Sequence, residues 1–210
     1  MPAGRLSDKV PSALGFYVFF EYVETGRFFM CRMEEHNMKF QMMPLLAENE
    51  RQFKQDMQAA FQLGAEDKCG KLEWEILPER DIDQSLNAEG TTAWQAMVDG
   101  VMVGGAITVV RKEQGELAFL YVKHNCQGMK IGQQIWQFIE VEYPAVKVWE
   151  TCTPYFEKRN IHFYINCCGF MAVEFYNPQH RQPEDLGQDD GEHDSEEEYF
   201  FRFQKIMGNG

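Results

Sequence analysis

The sequence predicts an α/β (α+β) protein with a mixed central sheet of about six to seven strands, flanked by about four helices. Two observations indicate this fold class. The pair Asp99-Gly100 lies between two apolar strand-like runs, which is a strong hairpin signal, so the front of the sheet is antiparallel. Further along the chain, a strand, a helix and another strand follow one another, as in a parallel crossover. Ligands of such sheets bind where neighbouring strands diverge, at their carboxyl ends.

Each predicted element follows from its own spacing of apolar residues. In the first helix, Phe53, Met57 and Ala60 recur at helical spacing, and Pro144 and Gly169 mark the ends of the last two helices. Helices are predicted, in chain order, at residues 47–63, about 78–87, 131–143 and 157–168. Strands are predicted at residues 38–45, 91–98, 101–110, 116–123, 146–153, 170–177 and 198–207.

Composition and charge exclude several classes of partner. The chain has 210 residues and 44% hydrophobic residues, which suits one large domain or one domain with an extension. A formal net charge of −13 should repel nucleic acid and anionic membrane surfaces, and it attracts cationic ligands such as amines. The longest apolar run near the start, ALGFYVFF, is too short to span a bilayer.

The cysteines predict neither a metal site nor disulfides. They lie at positions 31, 69, 126, 152, 167 and 168, and none forms a pair at the spacing of a metal site. Because no secretion signal is recognised, we expect reduced thiols in a cytoplasmic protein. No metal ligand set is predicted.

Residues 1–37 differ from the regular pattern that begins at Met38, and two interpretations stay open. The codons of Met33, Glu34 and Glu35 can contain GGAGG, a purine-rich bacterial ribosome-binding sequence, a few nucleotides upstream of the Met38 codon. In the first interpretation, Met38 is the natural start and residues 1–37 are translated leader. In the second, they form a genuine N-terminal strand or arm.

Residues 181–198, between the last two predicted strands, contain nine acidic residues. One interpretation is a solvated hairpin loop. The other is a loop beside the ligand site that attracts cations.

The segment QGMKIG, residues 127–132, follows a predicted strand and opens a predicted helix. The first turn of a helix carries unpaired N–H groups and a partial positive charge, so a glycine-rich entry can hold an anion such as pyrophosphate. The segment does not match G-x-x-x-x-G-K-[ST] or G-x-G-x-x-G. Taken alone, it also suits an ordinary strand-to-helix turn.

Two stretches resemble the GNAT superfamily of acyl-CoA-dependent N-acyltransferases: LYVKHNCQGMKIGQQIWQFIE and TPYFEKRNIHFYINCCGF. The resemblance covers about residues 38–207. The phosphate loop of the family follows the pattern Gln/Arg-x-x-Gly-x-Gly/Ala, which Gln127 and Gly132 match, whereas Lys130 stands where the family usually has glycine. The resemblance implies an N-terminal extension, 1–37, and a GNAT domain, 38–210.

The resemblance implies acetyl-CoA as co-substrate. Main-chain groups of the strand before the loop would pair with the pantetheine arm, and the loop and helix start would hold the phosphates. The implied cofactor-binding residues are Leu120, Tyr121, Val122, Gln127, Gly128, Met129, Lys130, Ile131, Gly132, Gln133 and Asn160.

The resemblance also points to catalytic candidates. Tyr164 corresponds to the family's tyrosine that protonates the leaving thiolate, although five residues rather than the usual four separate it from Gly169. Glu116 is expected on the same strand face as Leu120, where it could act as a base, and Glu150 could bind or deprotonate the acceptor amine. Each also has an ordinary structural interpretation, as a core tyrosine or a strand carboxylate.

The sequence therefore predicts transfer of an acetyl group from acetyl-CoA to a primary amine, by direct attack in a ternary complex. The expected acceptor is a small cationic molecule or a protein amine, and a homodimer is compatible with the edge strands. The alternative is a catalytically weak or inactive acyl-CoA-binding or regulatory module. Lys130 and the offset of Tyr164 favour that alternative.

Overall fold

The computed structural model describes residues 39–181 and 199–208. The leader or arm interpretation of residues 1–37 lies outside this part of the chain. So does the loop interpretation of the acidic segment, of which only Arg181 is described.

The described residues form seven strands and four α-helices, which confirms the predicted mixed α/β class. The strands are β1 (Phe40–Pro44), β2 (Thr91–Val98), β3 (Val101–Arg111), β4 (Gln114–Val122), β5 (Val148–Pro154), β6 (Met171–Tyr176) and β7 (Phe200–Ile206). The helices are α1 (Glu50–Cys69), α2 (Glu79–Leu86), α3 (Ile131–Glu142) and α4 (Lys158–His162), and a π turn (Phe163–Cys167) continues α4.

The strands form one sheet in the order β1-β2-β3-β4-β5-β7-β6. Asp99 and Gly100 both have positive φ angles, 49° and 82°, as the hairpin between β2 and β3 requires. The pair β4–β5 is parallel, because α3 carries the chain back across the sheet, and the other neighbouring pairs are antiparallel.

The parallel pair is short, and its shortness opens the sheet. β4 and β5 pair over three positions, and the last of these is Glu116 with Glu150. Beyond that point β4 remains paired with β3, and β5 with β7. The two halves of the sheet therefore diverge like a fork, whose base lies at the Glu116–Glu150 position.

A β-bulge in β4 lies next to the base of the fork. Leu117 pairs with Thr108 and Phe119 pairs with Ile107, so Ala118 has no partner residue on β3. The extra residue reverses the alternation of side chains along β4. Glu116 and Leu120 consequently lie on opposite faces of the sheet, and the expectation that they share a face is wrong.

Apolar clusters cover the two faces of the sheet. On the α1 face, helices α1 and α2 pack a cluster onto β3 and β4 that includes Phe53, Met57, Ile82, Ile107 and Tyr121. On the α3 face, the cluster includes Ile135, Trp136, Trp149, Phe170 and Phe203. None of the helices in the described ranges is long and apolar enough to span a membrane.

The first helix continues beyond its predicted end. The prediction stopped at residue 63, before Gly64, but α1 extends to Cys69 and is closed by Gly70 at φ 79°. A Cβ at Gly64 would meet nothing within 4 Å, so this glycine sits in the helix without a packing reason. Apolar contacts along the helix outweigh the weak helix propensity of one glycine.

Two glycines provide a test of the packing. A Cβ at Gly105 would lie 2.4 Å from the Phe53 ring and 2.5 Å from the Trp94 carbonyl oxygen. Gly105→Ala should therefore lower the free energy of unfolding by at least about 2 kcal/mol. Gly64→Ala, the matched control, should raise it by up to about 1 kcal/mol, because alanine is the better helix former. Urea denaturation of the two variants measures both changes. Equal effects of the two substitutions would contradict this packing.

Candidate active site

A cavity of about 1090 Å³ lies where β4 and β5 diverge. The residues from Leu117 to Val122 line one wall, and Thr151, Cys152 and Pro154 of β5 belong to the other. Thirteen of the predicted site residues line this cavity; they are Glu116, Leu120, Tyr121, Val122, Gln127, Gly128, Lys130, Ile131, Gly132, Gln133, Glu150, Asn160 and Tyr164. Met129 is not among the lining residues and is 41% exposed.

Two residues of the loop at one end of the cavity have a left-handed backbone. Gly128 has a φ of 82°, and Lys130, the N-cap of α3, has a φ of 58° and a ψ of 16°, in the left-handed region. A lysine in that region costs roughly 1–2 kcal/mol of conformational energy, which explains why glycine suits this position. The loop directs the first turn of α3 towards the cavity, where Ile131, Gly132 and Gln133 belong to the lining.

Gly132 allows the start of α3 to pack closely against the π turn. A Cβ at this position would lie 3.2 Å from Cε2 and 3.3 Å from Cζ of Phe163, and 3.8 Å from Leu120. The glycine therefore has a packing role, in addition to exposing the first-turn N–H groups.

Arg159 of α4 reaches across to this loop. Its Nη1 donates a hydrogen bond to Oε1 of Gln127, and both residues line the cavity. Arg159 and Lys130 thus bring two positive charges to the loop end of the cavity. Arg159 was not predicted from the sequence. It lies 32 positions from Gln127 in the chain, and only the folded structure brings the two residues together.

Tyr164 lies near the base of the fork, on the α3 face. It is 7% exposed and packs against Phe163, Phe170 and Phe203. In the π turn, the N–H of Cys168 donates to the carbonyl of Phe163, 3.0 Å away, which inserts one residue into the helix end. This insertion accounts for the five-residue spacing between Tyr164 and Gly169.

Thr151 connects Tyr164 to the fork. The Thr151 hydroxyl donates a hydrogen bond to the carbonyl of Leu117, 2.9 Å away, immediately beyond the last paired position of β4 and β5. Burial raises the pKa of Tyr164 to about 12, and a hydrogen bond with Thr151 partly opposes this shift. The phenol is therefore protonated at neutral pH.

Glu116 and Glu150 lie at the base of the fork on the opposite face. They are paired in register on neighbouring strands, and both line the cavity. Oε1 of Glu150 accepts a hydrogen bond from Nε2 of Gln204, 2.8 Å away, and lies 3.6 Å from Nη1 of Arg202. Arg202 and Gln204 were not predicted from the sequence, since the strand order brings them to β5 from the end of the chain.

Tyr121 contributes to the cavity wall, but its ring packs elsewhere. The ring meets Phe53 of α1 edge-on at 5.3 Å between centroids, and the hydroxyl is buried without a hydrogen-bond partner among the described residues. Burial, with a smaller contribution from Asp56, raises the pKa of this phenol well above its ordinary value. The geometry therefore leaves main-chain groups of Tyr121, rather than its hydroxyl, to interact with a ligand in the fork.

The part of the chain that the structure describes contains no cluster of three or more His, Cys, Asp or Glu side chains that could hold a metal ion. Its chemistry-bearing groups are instead a helix N-terminus with two cations, a buried phenol and a pair of carboxylates. They surround one cleft between diverging strands.

Comparisons with known proteins agree with this arrangement. The sequence pattern of the family described as "Acetyltransferase (GNAT) family" matches residues 52–170. A protein of Bacillus subtilis (strain 168), described as "Uncharacterized protein YrkN", is 38% identical over 161 residues, which cover 74% of this chain and 87% of that protein.

Solved structures share the fold at low sequence identity. The ribosomal-protein-S18-alanine N-acetyltransferase from Escherichia coli has a TM-score of 0.60 at 14% identity, covering 82% of this chain and 96% of its own. A GNAT family acetyltransferase from Elizabethkingia anophelis with acetyl-CoA bound has a TM-score of 0.59 at 14% identity, covering 80% and 98%. The PaiA N-acetyltransferase from Thermoplasma acidophilum in complex with coenzyme A has a TM-score of 0.56 at 13% identity, covering 81% and 100%. The chain belongs to the GNAT acetyltransferase family.

Proposed function

We propose that this protein transfers an acetyl group from acetyl-CoA to the primary amine of a small cationic molecule or of a protein. One observation carries the proposal: the forked cavity has a protonated phenol, Tyr164, near its base on one face and the carboxylate pair Glu116 and Glu150 on the other. A base that takes the amine's proton and an acid that protonates the leaving sulfur both accelerate acyl transfer to an amine, and this geometry supplies candidates for both.

The loop end of the cavity suits the phosphates of coenzyme A. The first-turn N–H groups of α3 are donors without helical partners, and Lys130 and Arg159 add positive charge beside them. Main-chain groups on the fork side of β4 can pair with the amide groups of the pantetheine arm. Bound in this direction, coenzyme A would place its thioester near the base of the fork.

The reaction we propose is a direct attack within a ternary complex. The bound thioester supplies an activated acetyl group. The acceptor arrives as an ammonium, loses one proton to Glu116 or Glu150, and forms a C–N bond with the carbonyl carbon while the C–S bond breaks. The nitrogen then loses a second proton, and this proton replaces, through solvent, the one that Tyr164 donates. Tyr164 gives its proton to the departing sulfur, and main-chain donors of β4 stabilise the negative charge that develops on the carbonyl oxygen.

The charge distribution favours a cationic acceptor. The net charge of −13 attracts amines, and the carboxylates of Glu116 and Glu150 lie at the base of the fork, beside the proposed position of the thioester. A homodimer stays a prediction, which sedimentation velocity would check.

The second candidate function is an acyl-CoA-binding or regulatory module without turnover. The low exposure of Tyr164 and the strained backbone of Lys130 favour it. A thiol-release assay separates the candidates, with acetyl-CoA and a panel of polyamines, aminoglycosides and peptides as acceptors. Acceptor-dependent release supports the transferase. Cofactor binding by calorimetry without release across the panel supports the module.

Gly132→Glu should abolish binding of coenzyme A. The substitution brings bulk against Phe163 and a negative charge to the proposed phosphate site. Gly132→Ala is the control, because its Cβ is uncharged and its tightest contact is the edge of the Phe163 ring, and it should weaken binding by less than about tenfold. Isothermal titration calorimetry measures both. Unchanged affinity in the Gly132→Glu variant would place the phosphates elsewhere.

Tyr164→Phe should lower kcat by roughly 10²-fold and leave coenzyme A affinity nearly unchanged, because it removes only the proposed donor. The substitution should also change how the free energy of unfolding depends on pH. The pKa is raised from about 10 to about 12, so the stability that the neutral phenol contributes is full below pH 10 and is lost as the pH rises through 12. Between pH 10 and pH 12, the free energy of unfolding measured by urea denaturation should therefore fall less in the variant than in the parent protein. Unaltered turnover would remove Tyr164 from the mechanism.

Lys130→Gly should raise the free energy of unfolding by about 1 kcal/mol, because glycine adopts the observed left-handed conformation without strain. It should also weaken coenzyme A binding, since a positive charge beside the phosphates is lost. Lys130→Asn is the control, since asparagine tolerates this conformation and is likewise uncharged. Tighter binding in both variants would show that the lysine obstructs the loop.

A further inference from the structure

A row of charged side chains crosses the second half of the sheet on the α1 face. The guanidinium of Arg202, on β7, lies between two carboxylates on the neighbouring strands. Its Nη1 is 3.6 Å from Oε1 of Glu150, on β5, and its Nε is 3.1 Å from Oε2 of Glu174, on β6. Arg202 and Glu150 both line the cavity and are each about one-third exposed. The row therefore connects the cavity to the edge strand of the sheet.

The outer end of this row is fixed by further hydrogen bonds. Tyr176 donates from its hydroxyl to Oε2 of Glu174 at 3.0 Å, and Nε2 of His180 lies 2.9 Å from Oε1 of Glu174. These contacts lower the pKa of Glu174, the His180 bond first and the Tyr176 bond second, so this carboxylate is ionised at neutral pH. Glu174 is thus a fixed anion beside Arg202, and the two form an ion pair by distance, because Nε of Arg202 makes no hydrogen bond to the described residues.

The inner end of the row faces the cavity. Oε1 of Glu150 accepts a hydrogen bond from Gln204 at 2.8 Å and lies 3.6 Å from Nη1 of Arg202, so both contacts are made to the same carboxylate oxygen. Glu116 lies beside Glu150 in register at the base of the fork. Two carboxylates in paired positions repel each other, and the guanidinium of Arg202 beside Glu150 reduces that repulsion.

We propose that Arg202 is a positioning residue for the acceptor amine. It holds Glu150 through Oε1, so that Oε2 binds the acceptor's ammonium and Glu116 takes the proton that the amine loses. This assignment rests on the proposed transferase function and specifies its acceptor subsite. The assignment also explains why an arginine lies beside a cavity that is expected to attract cations. The positive charge of Arg202 is balanced by Glu150 and Glu174, so it does not repel a cationic acceptor.

The geometry predicts how substitutions behave. Two separate nitrogens of Arg202 lie within ion-pair distance of the two carboxylates, an arrangement that one lysine ammonium cannot reproduce. Arg202→Gln should weaken acceptor binding roughly tenfold or more, and Arg202→Lys should restore it in part. Glu174→Gln should act in the same direction as Arg202→Gln, although Glu174 does not line the cavity. Arg51→Gln is the matched control, because Arg51 is exposed on α1 away from the cavity.

The experiment measures acceptor binding separately from turnover. Spermidine and a short peptide with a free N-terminal amine are titrated by calorimetry into the full chain saturated with coenzyme A, and acetyl transfer to the same acceptors is followed by thiol release. In the Arg202→Gln variant, we expect weaker binding and a raised KM for the acceptor, with unchanged coenzyme A affinity. A merely structural role would instead lower coenzyme A affinity and acceptor affinity together. If Arg202→Gln does not fold, Glu174→Gln decides.

The outcomes separate this inference from the proposed function. Binding of an acceptor that weakens in the Arg202→Gln variant, without any thiol release by the parent, would refute the transferase and support the acceptor subsite. Thiol release with an acceptor KM that is equal in parent and variant would overturn the role of Arg202. Failure of both acceptors to bind the parent's coenzyme A complex would overturn it as well.

Discussion

The loss of pairing between β4 and β5 is the constraint on which the rest of the structure depends. A parallel pair that continued to the ends of both strands would fill the sheet with main-chain hydrogen bonds and leave no cleft. Here the pairing stops at Glu116 and Glu150, while each strand remains paired with its other neighbour. Main-chain donors and acceptors of two strands therefore line an opening inside the sheet, and buried groups of this kind require partners. A ligand with amide groups can provide them.

The elements around the fork divide the chemistry between its two faces. The bulge at Ala118 directs Glu116 to the α1 face, and the π turn directs Tyr164 towards Thr151 on the α3 face. At the open end, the left-handed Lys130 begins α3 so that its first turn points into the cavity. Each of these features departs from regular secondary structure, and such departures concentrate at functional sites because regular elements satisfy their own backbone groups.

Most of the fold could be predicted from the sequence, because the apolar periodicities are strong and the hairpin at Asp99-Gly100 is unambiguous. The loop and Tyr164 could be located through their resemblance to the family. The face of Glu116 could not, since one unpaired residue in β4 reverses the alternation and no local pattern marks it. Arg159 and Arg202 were missed for a related reason: strand order and helix packing bring them to residues far away in the chain. The predicted first helix stopped at residue 63, whereas α1 continues to Cys69 and is closed by Gly70.

The most direct test of this account is a crystal structure of the protein with coenzyme A. We expect the phosphates at the first turn of α3 beside Lys130 and Arg159, the pantetheine arm along β4, and the sulfur at the base of the fork. The sulfur should lie within reach of the Tyr164 hydroxyl on one side, with Glu116 and Glu150 on the other. Coenzyme A bound outside the fork, or with its sulfur directed away from Tyr164 and both glutamates, would contradict the account.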